Sequence, residues 1–213
     1  MLITDELLNE LAMLQRQRSD DLLEARLLRA YEEFKKLHNV EELAYVVSEL
    51  AHFYAVSKLR DLKKAEAFHL ELELLEPGAQ SKWMTAGFYS AFGHPTQVIT
   101  KVNEISSTDE DIVCRYSALS LKGQACLATE KLEEAEETLG KLRDLANRER
   151  TELPYGDELP FVEEAAKISS LRSTSRAFLE LVVPRIRDEE FQEKGKRLLE
   201  SIAEPGSGSC PHE

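Results

Sequence analysis

Ala51, Gly87 and Gly123 fall on one period, 87 − 51 = 36 and 123 − 87 = 36 residues apart. Each lies inside a stretch whose apolar pattern is helical, where a glycine costs roughly 1 kcal/mol relative to alanine. A small residue kept at a fixed period points to packing, most simply a repeated helix pair whose two backbones approach closely at one point. The prolines agree. Pro77, Pro95, Pro154, Pro160, Pro184, Pro205 and Pro211 all lie at or near boundaries that the apolar pattern sets independently. None falls deep in a helix, where it would cost about 3 kcal/mol. No stretch alternates with period two over β-branched residues, so an all-α chain without strands is expected.

About ten helices are predicted. Thr4 caps the first, with Leu7, Leu8, Leu11 and Leu14 on one face. Ser19 caps the second, whose stripe runs Leu23, Leu27, Ala30, Phe34, Leu37. Asn39 with Glu42 forms a capping box that opens the third, to about Val56. The fourth spans Asp61 to Glu76, and Ser81 opens the fifth, which ends at Gly93. Pro95 starts a short sixth to Ile105, and a turn over Ser106 to Asp109 feeds a seventh to Thr129. The eighth runs from Leu132 to Arg148. After an irregular segment from Thr151 to Asp157 comes one long ninth helix to Val183, broken by Pro184. The last uses Phe191, Leu198, Leu199 and Ile202, and Gly195 is expected to let it fray. Residues 1–203 are expected to form one domain: an N-terminal helix pair over 1–38, repeats over 39–150 and C-terminal capping helices over 157–203. The tail 204–213 is expected to be disordered.

The net charge of −13 over 213 residues argues against nucleic acid, which needs a basic face, and against an anionic membrane surface. No apolar run approaches the ~18 residues of a membrane-spanning helix, so no membrane insertion is expected. The acidic start, with Asp5 and Glu6, is unlike a secretory signal, and a cytoplasmic protein is expected. Three cysteines, Cys114, Cys126 and Cys210, are too few and too odd for a disulfide framework. Cys114 and Cys126 read as buried helical hydrophobes, and Cys210 beside His212 as part of the tail.

The pairing of such helices at this period resembles the tetratricopeptide repeat, whose pattern is W-x2-L-G-x2-Y on one helix, then A-x3-F-x2-A, then P. Trp83-x3-Gly87 carries the first-helix Trp and Gly, and Gly123 to Ala135 has the 12-residue separation of the two small packing positions, with Leu139 and Leu142 following. Leu50-Ala51-x2-Tyr54 matches with Ala for Gly, and Ala65 to Pro77 matches the second-helix Ala and terminal Pro. The departures are a turn two residues too long between Ala51 and Ala65, Ile99 in a small-residue position and Asn103 in an aromatic one. The resemblance covers degenerate repeats over about 43–148. It implies a right-handed α-solenoid of antiparallel helix pairs whose first helices line a concave groove. Carried over, that groove comprises Tyr45, Ser48, His52, Ser81, Met84, Phe88, Phe92, Ser120, Gln124 and Leu127. With no cation among these positions, the expected ligand is an apolar or basic protein segment rather than an acidic one.

The expected function is therefore that of a non-enzymatic interaction module, a scaffold, adaptor or small chaperone, with no cofactor. A different class of reading rests on Glu49-x2-His52 and Glu66-x2-His69, whose spacing sets carboxylate and imidazole on one helix face as in di-metal carboxylate bundles. A third is self-association through the C-terminal helices into a homo-oligomer. Ser169, Ser170, Ser173, Thr174 and Ser175 read as a solvated helix face.

Overall fold

The computed structural model describes residues 5–17, 19–106, 111–148 and 153–202. Thr4, the turn residues 107–109, Thr151 and the tail lie outside the described residues. Eleven α-helices and one 3-10 turn are present among them, and no strand. No described helix is long and apolar enough to cross a membrane. The chain forms two compact units, Met1–Phe88 and Tyr89–Glu213, and the division falls inside one helix.

In the N-terminal unit, α1 (Asp5–Arg16), α2 (Asp20–Leu37), α3 (Val40–Val56) and α4 (Leu62–Leu75) pack each against the next. The α2 stripe buries Leu23, Leu27, Ala30 and Phe34. Leu37 stays exposed, because the helix ends at His38, which takes a left-handed conformation with φ 51°. Asn39 caps α3 as expected, its side chain accepting from the Glu42 amide at 3.5 Å. Ser19 sits at the α2 N-cap but makes no side-chain cap bond. Its neighbour Asp20 instead accepts from the Lys58 amide at 3.0 Å and ties α2 to the α3–α4 turn. Fully buried Tyr54 stacks on Phe68 at 5.8 Å and donates to Glu24, joining α2, α3 and α4. The fifth helix, α5 (Ala79–Ala91), starts two residues before Ser81, whose hydroxyl donates back to the Glu76 and Gly78 carbonyls.

In the C-terminal unit, α6 (Pro95–Asn103) packs on α7 (Ile112–Ala128), and α7 on α8 (Leu132–Arg148). The long ninth helix expected from sequence is two helices, α9 (Leu159–Ala166) and α10 (Arg172–Val182). Lys167, Ile168 and Leu171 close tight turns between them, and Leu171 is buried. The break lets α10 pack on both α9 and α8 while α9 packs on α7, so α7, α8, α10 and α9 close a cycle. Ser175, expected on a solvated face, is consequently buried.

A short 3-10 turn over Val183–Arg185 then leads to α11 (Glu189–Ser201). Gly195 does not fray α11. It is buried, and a Cβ there would stand 2.8 Å from Val183 Cγ2, so the glycine lets α11 seat on the 3-10 turn. Pro95, Pro160 and Pro184 each occupy the first turn of an element, where the missing N–H is harmless.

The period-36 positions turn out unequal. Ala51 is fully buried on α3. At Gly123 a Cβ would fall 2.3 Å from the Phe161 ring, so the close approach exists, but against α9 rather than against its own pair partner α8. At Gly87 an added Cβ meets nothing within 4 Å, which overturns the packing reason inferred there.

Candidate functional site

Three helices of the C-terminal unit build a half-open cleft of about 470 Å3. Amphipathic α6 buries Val98, Ile99 and Val102 and ends at Asn103 beside α7. On α7, Arg115, Leu119 and Lys122 follow at i, i+4 and i+7 and so share one face. On α8, Lys141, Leu145 and Arg148 repeat that spacing, with Asp144 beside them. Val102, Ala118, Leu119 and Leu145 give the cleft an apolar floor. Its described charged lining is Arg115, Lys122, Lys141 and Arg148 against Asp144, 4 − 1 = +3, within a chain of net charge −13.

Lys122 is the unusual member. It is 5% exposed, and its ammonium donates to Asn103 Oδ1 at 2.7 Å. Burying an ammonium costs several kcal/mol unless an anion compensates it, and this one has a neutral amide and no carboxylate at ion-pair distance among the described residues. Lys141 differs, being paired with Glu137 at 2.6 Å. Asn103, a departure from the repeat pattern, is thus the residue that holds Lys122. The sequence signal was available in the two i, i+4, i+7 cation stripes, but nothing local shows that they face each other.

The groove residues read from sequence are distributed differently. Tyr45, Ser48 and His52 share one face of α3, the first two half-buried and His52 exposed. Met84 is half-buried, whereas Ser81 and Phe88 are buried, Phe88 with its ring 4.9 Å from that of His69. In the C-terminal unit Phe92 is half-buried, and Ser120 is buried with its hydroxyl donating to the Tyr116 carbonyl. Gln124 and Leu127 line a second hollow of about 440 Å3 with Pro160, Glu163 and Glu164.

Of the two Glu-x2-His pairs, His52 is exposed while His69 is buried, its Nδ1 without a hydrogen-bond partner among the described residues. Burial lowers the His69 pKa to about 4, against the opposing pull of Glu73 and with help from His52. Among the described residues no three His, Cys, Asp or Glu side chains gather as metal ligands. Another buried titratable group is Glu158, just ahead of α9. Its Oε2 accepts from the Gly156 amide at 2.9 Å, Oε1 meets no hydrogen bond of good geometry among the described residues, and burial pushes its pKa up to about 7. Tyr116, also fully buried, lies close enough for its phenol and the Glu158 carboxyl to bias each other, and burial holds that phenol protonated far above its ordinary range. Cys114 and Cys126 are buried on α7 and not disulfide-bonded, and burial raises the pKa of Cys126.

No protein-family model, curated protein or solved structure matches this chain. The described lining of the cleft gathers guanidinium and ammonium donors, an amide and a hydroxyl around an apolar floor, with a single carboxylate.

Proposed function

We propose that this chain is a non-enzymatic protein-binding module of the cytoplasm, built of helix pairs in the manner of a tetratricopeptide-like array. It receives a segment of a partner in the cleft between α6, α7 and α8. The observation that carries this reading is the cleft itself: about 470 Å3, with apolar area for affinity and convergent charge for orientation. The hairpins α3–α4 and α7–α8, with buried Ala65 and Ala135 on their second helices, support the repeat-like architecture. The di-metal alternative finds no third ligand for its pairs among the described residues. The cations of the cleft favour an acidic segment, the reverse of what the repeat-register positions suggested.

Leu119→Trp fills the cleft from a half-buried position on its floor. Capture from native lysate is expected to yield a partner on wild type that is lost on Leu119→Trp. A control, Leu74→Glu on α4, where Leu74 is 83% exposed, is expected to retain it. Circular dichroism checks that the three proteins have equal helix content. Equal capture by wild type and Leu119→Trp would overturn the reading.

A further inference from the structure

Lys122 has no carboxylate at ion-pair distance among the described residues, and Glu137, which pairs with Lys141, acts on it only from further off. We propose that the cleft between α6, α7 and α8 binds a phosphate monoester carried on the partner's segment, an inference that rests on the cleft being the partner site.

The ammonium of Lys122 has three N–H donors and spends one on Asn103 Oδ1 at 2.7 Å. Because that bond occupies the amide oxygen, Asn103 keeps its own N–H donors for the cleft. Arg148 adds a guanidinium group, whose fork geometry suits phosphate oxygens, and Lys122 adds a point charge. With Glu137 already paired to Lys141, the lining charge falls from +3 to +2, of which a carboxylate would neutralise one while filling two acceptor positions. A phosphate monoester brings roughly −1.5 to −2 and three strong acceptor oxygens on one centre. It therefore matches both the charge and the donor density of the wall. The cleft is also larger than a bare phosphate needs, and its floor of Val102, Leu119 and Leu145 leaves room for apolar neighbours of the modified residue. Binding is the whole of the proposal. No bond in the ligand is made or broken.

The test is calorimetric titration of the full chain at fixed ionic strength. Its three probes are O-phosphoserine, a degenerate peptide pool with a central phosphoserine, and the same pool unphosphorylated. The phosphorylated pool is expected to bind about tenfold or more tightly than either other probe. Lys122→Met keeps the buried stem and removes the charge. Arg148→Gln changes an exposed side chain and leaves the core untouched. Each is expected to weaken the phosphorylated pool about tenfold and to leave the unphosphorylated pool unchanged. Equal binding of both pools, or phosphate binding indifferent to both variants, overturns the site. Binding of O-phosphoserine as tight as that of the phosphorylated pool overturns the partner-borne source in favour of a free phosphate ester. Partner capture that Leu119→Trp abolishes but phosphatase treatment of the lysate does not would leave the module standing and remove the phosphate. Lys122-dependent O-phosphoserine binding, with capture indifferent to Leu119→Trp, would remove the module instead.

Discussion

Gly123→Ala is expected to destabilise the C-terminal unit by about 3 kcal/mol, the upper end of the range for overpacking a core. Gly87→Ala, 36 residues earlier, is expected to stabilise by about 0.5–1 kcal/mol. Both glycines are helical, so the alanine gains the same backbone term at each. The difference is steric. At Gly123 the new methyl would stand 2.3, 2.4 and 2.5 Å from three atoms of the Phe161 ring, and Phe161 is fully buried on α9 with nowhere to swing. Relief requires α9 to back away from α7, which opens the cycle of α7, α8, α10 and α9. At Gly87 nothing lies within 4 Å of the added carbon. Urea unfolding of the two variants checks the pair of signs. Phe161→Leu in the Gly123→Ala background should recover part of the loss, which identifies the ring as the obstacle. A neutral Gly123→Ala would mean that the helices do not approach as described.

Acid is expected to move the two units in opposite directions, each by on the order of 3 kcal/mol over its full titration window. His69 belongs to the N-terminal unit and holds its pKa near 4 because burial disfavours the imidazolium. Between about pH 4 and 6.5 the unfolded chain therefore binds the extra proton. Stability of this unit is fully present above 6.5 and is lost as pH falls toward 4. Glu158 belongs to the C-terminal unit, and burial raises its carboxyl to about 7. Here the folded state holds the extra proton between about 4.5 and 7, so stability is greatest below 4.5 and declines as pH rises to 7. The groups beside them are Glu73 and His52 at the imidazole, and Tyr116 and Asp157 at the carboxyl. Hydrogen exchange resolved by peptide, compared at pH 5 and pH 7.5 after correction for intrinsic rates, reads each unit separately. Protection should fall in α3 and α4 and rise in α7 and α9 at the lower pH. Glu158→Gln should abolish the response of the second unit alone. Parallel changes in both units would contradict the assignment.

What was legible in the sequence is what is decided locally. The α2 stripe, the Asn39 cap and the prolines at first turns each depend on residues within a turn or two, and the structure keeps them. The break between α9 and α10 was hidden because helical periodicity runs through it. It is imposed by where α10 must pack, on α8 and α9 together. The register borrowed from the repeat pattern placed Phe88 and Ser120 on an open face, while the structure buries both. Burial is a property of neighbours, and the neighbour of Phe88 is His69, 19 residues upstream. Lys122 shows the same limit. On α7 alone it is one charge among many, and its meaning comes from Asn103 at the end of another helix.

Cys114 and Cys126 both lie on α7, and the sequence has no cysteine before them. A thiol must reach solvent before it reacts, and the closed fold buries both, while burial also holds the proton on Cys126. In a chain with Cys210 changed to serine, the rate of alkylation therefore counts openings of the C-terminal unit and is silent about the other. The protein carries its own clock, and the clock hangs in only one of its two rooms.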